Sequence, residues 1–227
     1  MSSRTSKSTR IIQIFKVTNS FVFRLLKIRV GEYDASGFNS PETAQHEEYT
    51  VVRLLKHPQF NAGRLSNDIA ILYTDRDINL NKPNVNTACL PSCRDQFGHQ
   101  FNNGTGVRCW VAGWGKNEVD GSFQFIQHKV DLPLVENNSC NNKLKNALNA
   151  QRAGSGNRFS LSQSEICAGG QVGKDACTGD GGSPLVCQGQ SGRWTVVGLV
   201  TWGVGCASDV PGVYARMSHF TQWIDQN

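Results

Sequence analysis

Short apolar stretches separated by turn-forming residues run along most of the chain. The stretches are rich in Val, Ile and Leu, which is typical of β-strands, and clusters of Gly, Asn, Asp and Pro lie between them. We predict eight strands, over residues 26–30, 49–55, 68–73, 108–111, 124–131, 185–187, 194–201 and 212–215. Many short strands with few helices favour an all-β fold built from antiparallel barrels or sandwiches.

The end of the chain carries a clear helical pattern. Phe220, Trp223 and Ile224 lie at helical spacing and form one apolar face, and Ser218 is placed to cap the first turn. A second, short helix is predicted over 143–150. The polar stretch 82–106 divides the strands into two groups. We therefore predict a first unit with its linker over 26–108, a second unit over 109–217 and a helix over 218–227.

The formal net charge of +5 is concentrated at the start of the chain. Residues 1–30 hold seven of the 23 Lys and Arg residues and no acid, so the remaining 197 residues hold 16 basic and 18 acidic side chains. Because the body of the protein is not net basic, we expect no nucleic-acid partner. No apolar run reaches the roughly 18 residues that span a bilayer, and we expect no membrane partner.

All eight cysteines lie in the last two-thirds of the chain, from Cys89 to Cys206. Their spacing matches no zinc-binding pattern, so we predict no metal site and no cofactor. An even number of cysteines in a β-rich chain indicates disulfides and an oxidising compartment. Glycosylation sequons at Asn103 and Asn137 agree with this. We predict a secreted, extracellular protein, although residues 1–30 show no clear export signal.

Several motifs in a fixed order point to one family. They begin at Asn67 (NDIA), Cys109 (CWVAGWG), Asp175 (DAC), Gly179 (GDGGSPLVC), Thr201 (TWG) and Pro211 (PGVY). With these motifs the chain resembles the trypsin- and chymotrypsin-like serine proteases over residues 26–227. Within that family it is most similar to the clip-domain serine protease homologues of arthropod haemolymph.

The resemblance implies two antiparallel β-barrels with a site in the cleft between them. Opening strands that the family has before residue 26 find no counterpart here, so we expect the first barrel to be N-terminally incomplete. Residues 1–25 are left as an unassigned basic segment, and we interpret them as consistent with a misassembled start.

The resemblance places Gly181 where the family has its catalytic serine, directly after the aspartate that is Asp180 here. Ser183 lies two residues further along the turn. A shift of that size moves a hydroxyl by several ångströms, whereas a misplacement of ~1 Å already costs ~100-fold in rate. We therefore expect that Ser183 does not act as a nucleophile and that the chain is not an enzyme.

The resemblance also indicates what remains of the other catalytic groups. Asp68 matches the aspartate that orients the catalytic histidine, but the Ala-Ala-His-Cys segment that carries this histidine is absent. We expect the five histidines, His57 included, to be surface or turn residues. Gly179 and Gly181 match the positions whose main-chain N–H groups form the oxyanion hole.

In the family, the aspartate at the position of Asp180 pairs with an N-terminal amine that is freed by cleavage at Arg-Ile-Val-Gly-Gly. Arg10 and Ile11 begin a similar stretch that lacks the glycines. We interpret this similarity as chance.

A pocket for a basic side chain is a separate implication of the resemblance. Asp175 matches the acid at the base of a trypsin-like specificity pocket, and the matching walls are Thr201, Trp202, Gly203 and Gly212. A carboxylate in a slot suits Arg or Lys through charge-assisted hydrogen bonds, so we expect a basic side chain as a ligand. The alternative is that these residues persist as barrel framework alone.

The resemblance pairs six of the cysteines. It implies the disulfides Cys109–Cys187, Cys140–Cys167 and Cys177–Cys206. Cys89 and Cys93 remain, and two alternatives stay open for them. They bond to each other, or Cys89 tethers the domain to an N-terminal pro-region, as in clip-domain relatives.

We predict a secreted, non-catalytic serine protease homologue that binds other proteins of an extracellular proteolytic cascade, such as melanisation or innate immunity. Two alternatives stay open from the sequence. One is an active trypsin-like endopeptidase that cleaves after Arg or Lys, and the other is a truncated fragment without function.

Overall fold

The computed structural model describes residues 10–12, 26–37, 44–91, 107–117, 119–189 and 192–227. The strands in these ranges are β1 (Arg10–Ile12), β2 (Lys27–Val30), β3 (Glu47–Lys56), β4 (Ala70–Thr74), β5 (Arg108–Gly113), β6 (His128–Val135), β7 (Glu165–Gly169), β8 (Pro184–Gln188), β9 (Trp194–Trp202) and β10 (Pro211–Arg216). The α-helices are α1 (Asn137–Gln151) and α2 (Met217–Asp225), and a short 3₁₀ helix covers Gly156–Arg158.

Six antiparallel strands close into a barrel in the order β10-β7-β6-β5-β8-β9. Along β5, Cys109, Val111 and Gly113 are buried and alternate with more exposed residues, so one face of the strand points into the barrel. The barrel core takes buried side chains from each strand, among them Leu132, Ile166, Leu185, Val197 and Tyr214. The predicted all-β fold with an antiparallel second barrel is confirmed.

The first unit is an open antiparallel sheet of four strands in the order β1-β4-β3-β2. Its small core packs Ile28, Val51 and Leu72 together. The incompleteness of the first barrel stays a prediction, because residues 13–25 and 38–43 lie outside the described ranges. We did not predict β1 from the sequence: residues Arg10–Ile12 pair with Ile71–Tyr73 of β4, although they belong to the segment that we left unassigned.

The two units are joined by contacts close to Asp68. Asn67 donates from its main-chain N to Ser164 Oγ at 3.1 Å, and Ile69 packs against Leu199 and Phe220 in an apolar cluster of the second unit. The segment that carries Asp68 is therefore held against the barrel.

Both helices differ from their predicted bounds. Helix α1 begins at Asn137 rather than 143, because the Glu136 carboxylate accepts hydrogen bonds from Asn138 N and Ser139 N and caps the first turn. Helix α2 begins at Met217, so the prediction that Ser218 caps it is wrong, and no side chain caps this helix. Its predicted apolar face is correct, since Phe220 and Ile224 are buried.

Strand β6 is shifted and β7 was missed. We ended β6 at Asp131, yet the strand runs on through Pro133, which pairs with Arg108 in the register of the sheet. Residues 125–127 pair instead with the loop at 33–35, where Gln127 N donates to Tyr33 O at 2.9 Å. All five residues of β7 are buried, so the strand lacks the alternation by which strands are recognised.

The six cysteines form the three disulfides that the resemblance implies. Cys89 is half-buried and forms no disulfide with another described cysteine. Its main-chain O accepts from Val196 N at 2.9 Å, and an Arg193 Nη2 lies 3.2 Å from its Sγ. Cys93 lies outside the described residues, so the pairing of Cys89 with Cys93 stays an open prediction.

Candidate ligand-binding site

The turn between Cys177 and β8 carries Gly181 at its exposed apex. Ser183 N donates to Asp180 O at 2.9 Å and Gly182 N donates to Val200 O at 2.9 Å, which ties the turn to β9. Gly182 has a φ of +90° and Gly179 a φ of +103°, conformations that favour glycine. A Cβ atom added to Gly181 would meet no other atom within 4 Å, so the apex has room for a side chain that the sequence does not supply.

Main-chain amides of the chain itself hold the Asp180 carboxylate. Gly115 N donates to Oδ1 at 2.8 Å and Cys177 N donates to Oδ2 at 2.9 Å. The Asp180 carboxyl group lies so close to the end of β5 that both Gly113 and Gly115 must be glycine. A Cβ atom at Gly113 would lie 2.1 Å from a carboxyl atom of Asp180, and one at Gly115 would lie 2.5 Å from it. These two hydrogen bonds from main-chain amides shape the turn.

The turn faces a cavity of about 550 Å³ between the two units. Leu65 and Asp68 line it from the first unit, and Gly179 and Gly181 line it from the turn. Within the described residues, the main-chain N–H groups of Gly179 and Gly181 donate to no protein acceptor, so they are available to a ligand. Ser183 is not part of the lining, and its Oγ lies on the side of Gly113.

Asp68 forms part of the cavity wall. It is 9 % exposed. The four histidines that the structure describes all lie elsewhere, and none lines the cavity. His57, for example, packs edge-on against Phe220 and Trp223 with ring centroids 5.3 Å and 4.9 Å apart, and its Nδ1 accepts from Gln59 N at 3.2 Å.

Asp175 lies in the same cavity, below the turn. Its Oδ1 accepts from Ala176 N at 2.9 Å and its Oδ2 accepts from Ala207 N at 3.1 Å. A Cβ atom at Gly212 would lie 3.4 Å from Asp175 Oδ1 and 3.6 Å from Tyr214 Oη, so both oxygens border the space above this glycine. Asp175 is therefore a lining residue of the cavity close to Gly212.

Tyr214 is a site residue that the sequence reasoning missed. Its ring is 1 % exposed, and its hydroxyl is the one buried side-chain polar atom without a hydrogen-bond partner in the described ranges. Burial raises the pKa of Tyr214, and the carboxylates of Asp175 and Asp180 raise it further, so the group stays a neutral hydroxyl. A buried hydroxyl without a partner is costly, and a ligand with several N–H donors would satisfy it together with Asp175. The PGVY motif at 211–214 was the sequence signal that contained this residue.

The remaining wall of the cavity comes from the end of β9. Thr201 Oγ1 donates to Val213 O at 2.8 Å, which fastens β9 to β10. The indole of Trp202 packs edge-on against Phe159 and donates from Nε1 to Glu165 Oε1 at 3.0 Å. Gly203 is exposed and lines the cavity too. All five residues predicted for the pocket, from Asp175 to Gly212, therefore line one cavity.

Comparison with known proteins agrees with the barrel and the motifs. The model of the trypsin family matches residues 14–224. The chain belongs to the trypsin family. The match begins twelve residues before the start that we predicted for the domain.

Within the trypsin family, the chain is similar to several insect proteins. It is 46% identical over 205 residues to "Inactive CLIP domain-containing serine protease A3" of Aedes aegypti, covering 88% of this chain and 40% of that protein. It is 37% identical over 207 residues to "Phenoloxidase-activating factor 2" of Galleria mellonella, covering 89% and 63%. It is 34% identical over 203 residues to "Inactive CLIP domain-containing serine protease A28" of Anopheles gambiae, covering 89% and 49%. The chain thus spans less than two-thirds of the length of these relatives.

The structure describes one of the two predicted glycosylation sequons of this trypsin-family chain. Asn103 lies outside the described residues. Asn137 is half-buried in the first turn of α1, and its Nδ2 donates to Glu165 O at 3.4 Å.

No helix in the described ranges is long and apolar enough to cross a membrane. No group of three or more potential metal ligands occurs in the same ranges.

Proposed function

We propose that the chain is a secreted, non-catalytic serine protease homologue that acts as a binding cofactor or regulator in an extracellular proteolytic cascade. The observation that carries this proposal is the cavity itself, where Gly181 stands at the apex of the turn and none of the described histidines is a lining residue. Loss of the serine or the histidine of such a triad alone costs ~10⁶ in kcat, which corresponds to roughly 8 kcal/mol of transition-state stabilisation. Cleft geometry alone cannot replace so large a contribution.

The cavity supports a binding role in place of catalysis. The Asp175 carboxylate, the Tyr214 hydroxyl and the free N–H groups of Gly179 and Gly181 are polar groups that a ligand can satisfy. We propose that the cavity takes the Arg or Lys side chain of a protein partner. The basic group would bind Asp175, and its further N–H donors would reach Tyr214.

The surface next to the cavity supports a protein partner. Phe123 lies against Gly179, where an added Cβ would approach its Cε1 to 2.8 Å. Phe123, Phe125 and Tyr33 are each more than half exposed, and the hydrogen bond from Ala35 N to Phe125 O, at 2.8 Å, brings the two loops together. Exposed apolar clusters of this kind are typical of protein-binding surfaces. The relative from Galleria mellonella is named as a phenoloxidase-activating factor, which favours a cascade that ends in phenoloxidase activation.

Two assays test the proposal. Purified protein should release no product from a p-nitroanilide peptide with Arg at the cleavage site, with trypsin as the positive control. The same protein, added to a haemolymph protease cascade, should change the phenoloxidase activity that develops. Turnover that co-purifies with the protein would refute the non-catalytic role. Unchanged phenoloxidase activity at stoichiometric concentration would refute the cascade role.

A further inference from the structure

Trp202 is a lining residue of the cavity, and its indole is held by a buried glutamate outside the cavity. Trp202 is the last residue of β9 and Glu165 is the first residue of β7. Both strands pair with β10 but not with each other. The 3.0 Å bond from Trp202 Nε1 to Glu165 Oε1 therefore spans β10 and connects the cavity wall to the barrel behind it.

The second carboxylate oxygen of Glu165 also accepts a hydrogen bond. Ser162 N donates to Oε2 at 2.7 Å, so each oxygen faces an N–H group. A glutamine presents one acceptor and one NH₂ donor, and a protonated carboxyl group presents an O–H donor. Since both partners are donors, the ionised carboxylate, which accepts at both oxygens, suits the pair best.

Keeping this carboxylate ionised is costly where it lies. Glu165 is 3 % exposed, and no cationic side chain forms an ion pair with it in the described part of the chain. The nearest guanidinium in its hydrogen-bond network, that of Arg216, donates to the main-chain O of Glu165 at 3.0 Å and 2.9 Å rather than to the carboxylate. Burial raises the pKa of Glu165, while the bonds from Trp202 and Ser162 lower it. A buried carboxylate without an ion-pair partner lowers the stability of the fold. Its presence is therefore better explained by a functional role.

We propose that Glu165 is a positioning residue that fixes the indole of Trp202, and with it the part of the cavity wall that Trp202 forms. A fixed wall avoids the loss of side-chain entropy that a ligand would otherwise cause on binding. The consequence for affinity rests on the proposed function, that is, on a basic ligand in the cavity. A purely structural alternative exists, because the Ser162 N bond, with the 3.1 Å bond from Glu165 N to Ser162 O, also closes the turn into β7.

The first test is independent of any ligand. The chain has five tryptophans, whose indole N–H groups give separate ¹H–¹⁵N signals, and Trp202→Phe assigns the signal of Trp202. In the native protein we expect slow exchange of this proton with water. In Glu165→Gln we expect faster exchange and a shifted signal for Trp202, with the other four indole signals unchanged. An unchanged Trp202 signal would overturn the proposal.

The second test measures the affinity for benzamidine, a small amidinium probe. We expect Glu165→Gln and Trp202→Phe each to weaken binding roughly fivefold to tenfold, since each removes one hydrogen bond to a charged group. The double variant should bind as well as either single variant, because both changes break the same contact. Fully additive losses would overturn a role through Trp202.

A matched control separates positioning from stability. Glu136 also accepts two main-chain N–H bonds with its carboxylate, but it caps α1 and does not line the cavity. Glu136→Gln should lower the unfolding midpoint and leave both the Trp202 signal and benzamidine affinity unchanged. If Glu165→Gln does not fold, Glu165→Asp takes its place, because it keeps the charge but shortens the side chain. A shifted Trp202 signal in that variant supports the positioning role, and an unchanged signal overturns it. If the native protein does not bind benzamidine, the proposed binding of a basic side chain in the cavity fails, whereas the indole spectrum still decides whether Glu165 positions Trp202.

Discussion

Because Asp180 lies close to β5, we predict that alanine substitutions at Gly113 and Gly181 differ in their effect on stability. In Gly113→Ala the new Cβ would lie 2.1 Å from Asp180 Oδ1, a distance at which one of the two groups must move. Gly113 is buried in β5, and the carboxylate is held by Gly115 N and Cys177 N. In Gly181→Ala the same methyl group would meet no atom within 4 Å. The two substitutions are chemically identical and differ in their surroundings.

The expected magnitudes differ accordingly. Overpacking costs about 1–3 kcal/mol, and a weakened hydrogen bond to a charged group adds to it, so we expect Gly113→Ala to lower the free energy of unfolding by about 2–4 kcal/mol. For a chain of this size that lowers the melting temperature by roughly 5–15 °C. Gly181→Ala should stay within about 0.5 kcal/mol of the native protein. Urea unfolding with the disulfides intact measures both. Equal midpoints for Gly113→Ala and the native protein, or an equal loss in Gly181→Ala, would refute the packing of Asp180 described above.

Three further predictions concern the cavity, a histidine and a disulfide. Asp175→Asn should weaken benzamidine binding roughly 10- to 100-fold in calorimetry, because a charged acceptor is lost, and unchanged affinity would remove Asp175 from the site. Burial and the charge of His219 lower the pKa of His57, so its neutral form stabilises the fold, and this stability should decline as pH falls below the unfolded value of 6.5. The free energy of unfolding of His57→Gln should therefore fall less between pH 7 and pH 5, and equal slopes would contradict this. Replacing both Cys140 and Cys167 by Ala opens a cross-link between positions 27 residues apart and should cost about 3.5 kcal/mol in urea unfolding, whereas a loss below 1 kcal/mol would contradict it.

Features built by short stretches of chain were predictable from the sequence. The alternation in β5 and the apolar face of α2 are local periodicities, and the structure retains both. Asp175, Gly181 and Trp202 were inferred from motifs, and they line one cavity. In each of these cases the residue type and its near neighbours already contain the information.

Features that depend on distant contacts were not predictable. Glu165, in the sequence Ser-Glu-Ile-Cys, resembles a surface acid until the pairing of β10 with β7 and β9 brings it to Trp202. Strand β7 is buried at every position, so it has no alternation. Ser218 resembles a helix cap, but β10 continues directly into α2, which places the start of the helix one residue earlier. In each case the structure depends on burial by elements that are distant in the sequence. A short window of sequence does not contain that information.

A fluorophosphonate probe reports whether the chain carries a reactive nucleophile. Such probes form a covalent bond with the activated serine of serine proteases, so intact-mass spectrometry of the purified protein reports one added phosphonyl group or none. With Gly181 at the apex of the turn and Ser183 outside the cavity, the predicted result is an unchanged mass under conditions that label trypsin completely. Stoichiometric labelling of any serine of this chain would contradict the account.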